Sequence, residues 1–167
     1  WEMGGAQRVL EGTLAGLVGK ANDELCVALD VPFPLAPMDE ARLHQHRDTA
    51  DRFDVLDVDG AFAGFVITFA AGAAYDGTHF AWFADRYDDY CYLDRIVIHE
   101  DFQRRGLGTV VYDELERSCA RPVFALEVNI DPPNEPSLAF HRGRGFTEVG
   151  QSDASGHLVS LMVKRIS

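Results

Sequence analysis

The sequence predicts a mixed α/β fold of the α+β kind, with helices packed against a mostly antiparallel central sheet. Three observations predict it. Asp59-Gly60 stands between two apolar, β-rich runs, the pattern of a hairpin with a two-residue turn. Tyr92 to Ile98 leads through a short glycine-bearing loop into an amphipathic stretch, Leu107 to Cys119, so a strand feeds a helix. Two further apolar runs, Phe146 to Val149 and Leu158 to Lys164, close the chain around GQSDASGH. Helices and strands in that order make layers around one core.

Taken from the N-terminus, Val9, Leu10, Leu14, Leu17, Val18, Leu25 and Leu29 recur at helical spacing, which predicts one or two helices interrupted by Gly12, Gly16 and Gly19. VPFPLAP ends them, because proline cannot continue a helix. MDEARLHQHRDTA predicts a short helix with His44 and His46 on a solvated face. Phe53, Val55, Leu56 and Val58 form the first hairpin strand, and Phe62, Phe65, Val66, Ile67 and Phe69 the return. An aromatic, acidic insert follows, helical around Phe80 to Arg86. After the Leu107 to Cys119 helix come a strand over Pro122 to Ile130 and a helix from Pro136 that ends by Gly145.

The length of 167 residues fits a single domain over 1–167, and 47% hydrophobic residues suffice for a core. A net charge of −12 argues against a nucleic-acid partner and is compatible with a cationic substrate. No apolar run reaches the ~18 residues of a membrane span, and no secretory leader pattern is present. Cys26, Cys91 and Cys119 are an odd set without metal spacing, so no disulfide framework and a cytoplasmic location are expected.

QRRGLGT, Gln103 to Thr109, lies where a strand gives way to a helix. The first N–H groups of a helix have no internal acceptor and sit at the positive end of its dipole. Phosphate binds there readily. Glycine permits positive φ and lets a ligand approach the backbone, and Arg104 and Arg105 add cations. The segment therefore reads as a diphosphate cradle or as a tight turn with solvated arginines. No Gly-Lys-Ser/Thr follows, and Val111 stands where a dinucleotide fingerprint needs its third glycine.

Gln103-Arg104-Arg105-Gly106-Leu107-Gly108 resembles the Q/R-x-x-G-x-G/A signature of the GNAT superfamily of acyl-CoA-dependent N-acetyltransferases. A second block, Asn134 to Phe146 with Ser137, Phe140, His141 and Gly145, is similar to that family's N-x-x-A/S motif. The resemblance covers roughly residues 37 to 167. The family's usual first strand is not found ahead of the N-terminal helices; either it is missing or Gln7 to Leu10 holds it. The resemblance implies acetyl-CoA (coenzyme A) as cofactor. Its diphosphate would lie on Gln103, Arg104, Arg105, Gly106, Leu107, Gly108 and Thr109, and its pantetheine along Ile96, Val97 and Ile98, with Asn134, Ser137, Phe140 and His141 beside it. A homodimer is possible, and no metal is required.

Acetyl transfer needs a neutral amine, yet an alkylamine with a pKa near 10.4 is mostly protonated at neutral pH, so a group must accept its proton. LDRIVI resembles the family's strand in which Asp94 would be that acceptor, with Tyr92 and Asp94 on one face. Solvation or an ion pair explains Asp94 equally well. Glu127, in ALEVN, is the alternative acceptor. His141 occupies the position of a tyrosine that protonates the leaving thiolate in many relatives. Tyr75, His79, Trp82, Phe83, Tyr87 and Tyr90 are candidates for the wall of an acceptor slot, or for a satellite core, and Tyr92 and Asp94 are further candidates for contact with the substrate. The expected activity is acetyl transfer from acetyl-CoA to a small-molecule or peptide amine by direct attack. The alternative is a catalytically silent acyl-CoA-binding module of the same fold.

Overall fold

The computed structural model describes residues 6–9 and 40–166. The helices expected across Leu10 to Asp30, the proline segment after them and Cys26 lie outside the described residues. In order, the elements are β1 (Ala6–Val9), α1 (Glu40–Thr49), β2 (Arg52–Val58), β3 (Ala61–Ala70), α2 (Thr78–Ala84), β4 (Cys91–Ile98), a 3-10 turn (Glu100–Phe102), α3 (Leu107–Ser118), β5 (Val123–Asp131), α4 (Glu135–Gly143), β6 (Thr147–Ser152) and β7 (Leu158–Arg165). Hydrogen bonding orders the strands β1-β2-β3-β4-β5-β7-β6. This is the mixed, mostly antiparallel sheet that the patterning predicts.

Residues 6–9 correct the reading of the N-terminus. Ala6 to Val9 form a strand, not a helix, and pair antiparallel with β2, Ala6 opposite Val58 and Val9 opposite Val55. Four residues with a single strong β-former hold no period of their own, so the pairing partner decides their conformation. His46 is the second correction: expected on a solvated face, it is buried.

The chain divides into two compact units, Trp1–Ile67 with Arg95–Asp113, and Thr68–Asp94 with Glu114–Ser167. In the first, the β2–β3 turn forms as expected. Asp59 and Gly60 both have positive φ, 55° and 83°, the backbone of a tight hairpin turn whose twist matches its strands. The Gly60 N–H donates to Asp57 Oδ1 at 2.9 Å. Gly64 is where β3 touches β4. A Cβ there would stand 2.0 Å from the Val97 carbonyl oxygen, at φ 148°. The two backbones lie this close because position 64 has no side chain.

In the second unit β4 and β5 run parallel through two pairs, Cys91 with Phe124 and Tyr92 with Ala125. β5 and β7 pair antiparallel from Val123–Arg165 to Asn129–Val159, with a bulge before Asp131–Leu158. β6 joins the other side of β7, with a bulge between Glu148 and Gly150. The core comprises Phe69, Phe83, Tyr90, Phe124, Ala125, Leu126, Leu161 and Met162, all essentially inaccessible.

Helix α3 forms because Leu107, Val111, Tyr112 and Leu115 repeat at helical spacing and are buried. Each such Val or Leu contributes about 1.5–3 kcal/mol by leaving water, which outweighs the weak intrinsic propensity of a three-turn helix. On the same helix Glu116 receives hydrogen bonds from Arg144 Nε at 2.9 Å and Lys164 Nζ at 2.7 Å. Burial alone would raise its carboxyl pKa. The hydrogen bonds and positive charges of Arg144 and Lys164 outweigh that and lower it. A carboxylate whose folded pKa lies below its unfolded value stabilises the fold above the unfolded pKa, and that contribution fades as pH falls through the folded value. Thermal melts of the wild type should therefore lose stability as pH is lowered below about 4.5. Glu116→Gln should flatten that part of the profile; an unchanged slope would show that the network carries no net stability.

Candidate active site

Two features draw together the residues predicted from the sequence. The first is the loop between β4 and α3. Gln103 Nε2 donates to the Ile98 carbonyl at 2.9 Å, closing the loop onto the strand it leaves. Arg105 Nη1 donates to the Asp101 carbonyl at 3.1 Å, and its guanidinium lies over the Phe102 ring at 5.3 Å. Arg104 is exposed, with φ 55°. Gly106 has φ 84°, and a Cβ built on it meets nothing within 4 Å. The Val110 N–H reaches back to the Gly106 carbonyl at 3.2 Å, so the helical ladder begins there. The N–H groups of Leu107, Gly108 and Thr109 precede that first rung and have no acceptor within the helix. Open space beside a left-handed glycine, a helix start and an exposed arginine suit an anion such as a diphosphate. Ile96 and Ile98 are half-buried and Val97 is buried.

The second feature is a carboxylate pair in the other unit. The Tyr75 hydroxyl donates to Asp94 Oδ1, and the Tyr92 hydroxyl donates to Glu127 Oε2. Burial, then the negative charges of Glu127 and Asp94, push the Tyr92 hydroxyl well above the usual tyrosine range, so its proton stays on oxygen. His79, the second residue of α2, places Nδ1 3.3 Å from Glu127 Oε1. Glu127 is thus held at both oxygens, and its side chain keeps 26% exposure. The surroundings are aromatic. Tyr75 stacks on Phe69 at 3.9 Å between centroids and meets Phe80 edge-on at 5.4 Å. His79 Nε2 is buried and has no hydrogen-bond partner among the described residues. Leaving such an atom unsatisfied costs about 1–3 kcal/mol.

Asn134 caps helix α4, its side chain accepting from the Ser137 N–H at 3.2 Å, with Pro136 in the first turn. Between β5 and α4 the ladder bulges between Asn129 and Asp131, and the Asn134 N–H donates to the Asn129 carbonyl at 3.0 Å. His141 is buried, and Nδ1 lies 2.7 Å from the Ser137 carbonyl oxygen. That contact requires the hydrogen on Nδ1. Burial holds the ring's pKa below the ordinary value, so it is neutral at pH 7. Its ring packs edge-on against Phe140 and Phe146, each at 5.4 Å.

The aromatic insert separates by role. Phe83 and Tyr90 are core, and burial pushes the Tyr90 hydroxyl up to about 12 while it donates to the Phe80 carbonyl. Trp82 lies against Gly150, where a Cβ would stand 2.7 Å from its ring, and Arg86 caps its face at 3.8 Å. Asp89 is paired with Arg121. Of the candidate slot residues, Tyr75, His79 and Tyr92 converge on the two carboxylates. The contact between His79 and Glu127 has no signature in local sequence.

Fold and features together define a class: an α+β chain with an open, glycine-bearing loop at a helix start and hydroxyl-bonded carboxylates on neighbouring parallel strands. The model of the acetyltransferase (GNAT) family matches residues 20–146, and the chain belongs to that family. Phosphinothricin N-acetyltransferase of Streptomyces viridochromogenes is 33% identical over 88 residues, which are 52% of this chain and 46% of that protein. The matched stretch thus spans about half the length of this curated relative. Ard1 of Thermoplasma volcanium shares the fold at a TM-score of 0.65 and 18% identity, over 90% of this chain and 91% of that one. So does yncA of Salmonella typhimurium, solved with its cofactor acetyl-CoA, at 0.62 and 16% identity over 96% and 92%. Among the described residues no helix is long and apolar enough to cross a membrane.

Proposed function

We propose that residues 1–167 act as one acetyl-CoA-dependent N-acetyltransferase domain in the cytoplasm, moving an acetyl group to a primary amine by direct attack. The observation that carries this reading is the pair of carboxylates, Asp94 and Glu127, each held by a tyrosine hydroxyl next to solvent. The family membership and the acyl-CoA chemistry of a GNAT fold support it. Amine acetylation, the reaction named by the Streptomyces relative, is carried over without its particular acceptor.

Gln103 to Thr109 would hold the coenzyme diphosphate, and Ile96 to Ile98 would offer backbone to its pantetheine arm. Bound there, acetyl-CoA supplies an acyl group activated as a thioester. One carboxylate of the pair takes the ammonium proton, which frees the nitrogen lone pair for attack. Tyr92 and Tyr75 keep those carboxylates aimed. His141, neutral with its proton turned to Ser137, reaches the leaving sulfur only if Nε2 is first protonated. A coenzyme thiol with a cysteine-like pKa near 8.5 leaves adequately without it. A binding-only module would leave the two aimed carboxylates without a task.

The test is a panel of amines incubated with acetyl-CoA, scored by release of free thiol. Turnover with one or more amines is expected, and none across small amines and peptide N-termini would sink the reading. Gly106→Val should weaken coenzyme A binding by about tenfold or more, because valine is strained at positive φ and its methyls fill the cradle. Calorimetry measures this, and an unchanged Kd would move the diphosphate elsewhere.

A further inference from the structure

Resting on the proposed transfer reaction, we infer that His79 is a positioning residue that acts through Glu127 and selects it as the carboxylate that receives the amine proton. Three observations converge on this role. His79 is 4% exposed at the start of α2, a helix whose other buried residues are Phe80 and Phe83. An aliphatic or aromatic side chain would satisfy that environment without burying ring nitrogens. Its one polar contact among the described residues is Glu127, Nδ1 to Oε1 at 3.3 Å, while Nε2 is left without a partner. Glu127 receives the Tyr92 hydroxyl on its other oxygen. Two donors on opposite oxygens fix the plane of the carboxylate, whereas one donor leaves it free to turn.

With a hydrogen on Nδ1, the ring directs a donor at Oε1. In the step itself an N–H bond of the ammonium breaks and an O–H bond forms on Glu127. The positive charge of the amine and the negative charge of the carboxylate are both removed, and no electron transfer is involved. His79 neither gains nor loses a proton. Its part is to keep Glu127 from rotating away from the incoming nitrogen, a displacement of about 1 Å being enough to cost ~10²-fold in rate.

Kinetics on the full chain test this. His79→Leu removes the donor and should lower kcat by ~10²-fold, with KM for acetyl-CoA and coenzyme A affinity unchanged. His79→Asn places an amide N–H where Nδ1 was and should recover most of the lost rate. In a Glu127→Gln background, His79→Leu should produce no further loss, as expected for residues acting as a unit. Independently of turnover, the imidazole nitrogen resonances of His79 should report an Nδ1–H tautomer and shift on Glu127→Gln. The inference is overturned if the asparagine variant is as impaired as the leucine variant. Equal losses in the presence and absence of Glu127, or resonances indifferent to that substitution, overturn it as well. Wild-type protein without turnover on any amine overturns the transfer reading and this role with it, whereas turnover that ignores His79 overturns this role alone.

Discussion

Glu127→Gln is expected to lower kcat by about 10²–10⁴-fold, the usual range for removing a general base. The substitution keeps shape and hydrogen-bonding length while removing the capacity to hold a proton. It leaves one acceptor oxygen where the Tyr92 hydroxyl and His79 Nδ1 had two, so a modest fall in melting temperature is expected. Coenzyme A binding should persist, because the Gly106 loop belongs to other residues of the chain. Asp94→Asn supplies the comparison. Asp94 accepts from Tyr75, which is itself stacked on Phe69, and its loss should cost less than that of Glu127. A larger loss at Asp94 would reverse the assignment within the pair. Equal, small losses at both would remove carboxylate base catalysis from the mechanism.

Gly64→Ala is expected to destabilise the fold by on the order of 3 kcal/mol. The new Cβ would be placed 2.0 Å from the Val97 carbonyl oxygen, inside any tolerable contact. The neighbour is backbone, not the tip of a flexible side chain, so relief requires the β3 and β4 main chains to separate. That separation also stretches the His99 N–H bond to the Ala63 carbonyl, 2.9 Å in the native fold. For a chain of this length the expected fall in Tm is about 6–12 °C. Thermal or urea unfolding measures it, and a shift under 1 kcal/mol would mean that the strands can part cheaply at this point. Val97 lies in the segment proposed to face the pantetheine arm, so coenzyme affinity should weaken in the same variant even at temperatures where it stays folded.

Much of this was legible in the sequence, and the limits have physical causes. Asp59-Gly60 specified its hairpin because few other pairs tolerate two positive φ angles in succession. Leu107, Val111 and Leu115 specified α3, since periodic burial is written into spacing. The Gln103 to Gly108 segment was visible as a loop that feeds a helix, through its glycines and cations. Ala6 to Val9 was not: a strand of four residues gains its conformation from β2, and Val9 also fits the helical period of Leu10 to Leu29. The carboxylate site was half legible. Asp94 and Glu127 stood out as acids on apolar strands. Their contacting partners, Tyr75, Tyr92 and His79, are distant in sequence, and tertiary contacts leave no trace in local pattern. His79 in particular looked like one more wall residue in an aromatic insert. Trp82 and Phe83 were open to two readings, a slot wall or a satellite core; Trp82 lies against Gly150 and Phe83 is buried.

Strand β6 ends the hydrogen-bonded order, and the outer side of such a strand is a standing invitation to cross-chain β-pairing. Here the invitation is spoiled. The bulge between Glu148 and Gly150 breaks the spacing that an incoming strand would need. Glu148 is tied down by Ser160 and Gln151, which keeps a negative charge at the rim. Edge-to-edge β-pairing through this rim is therefore disfavoured.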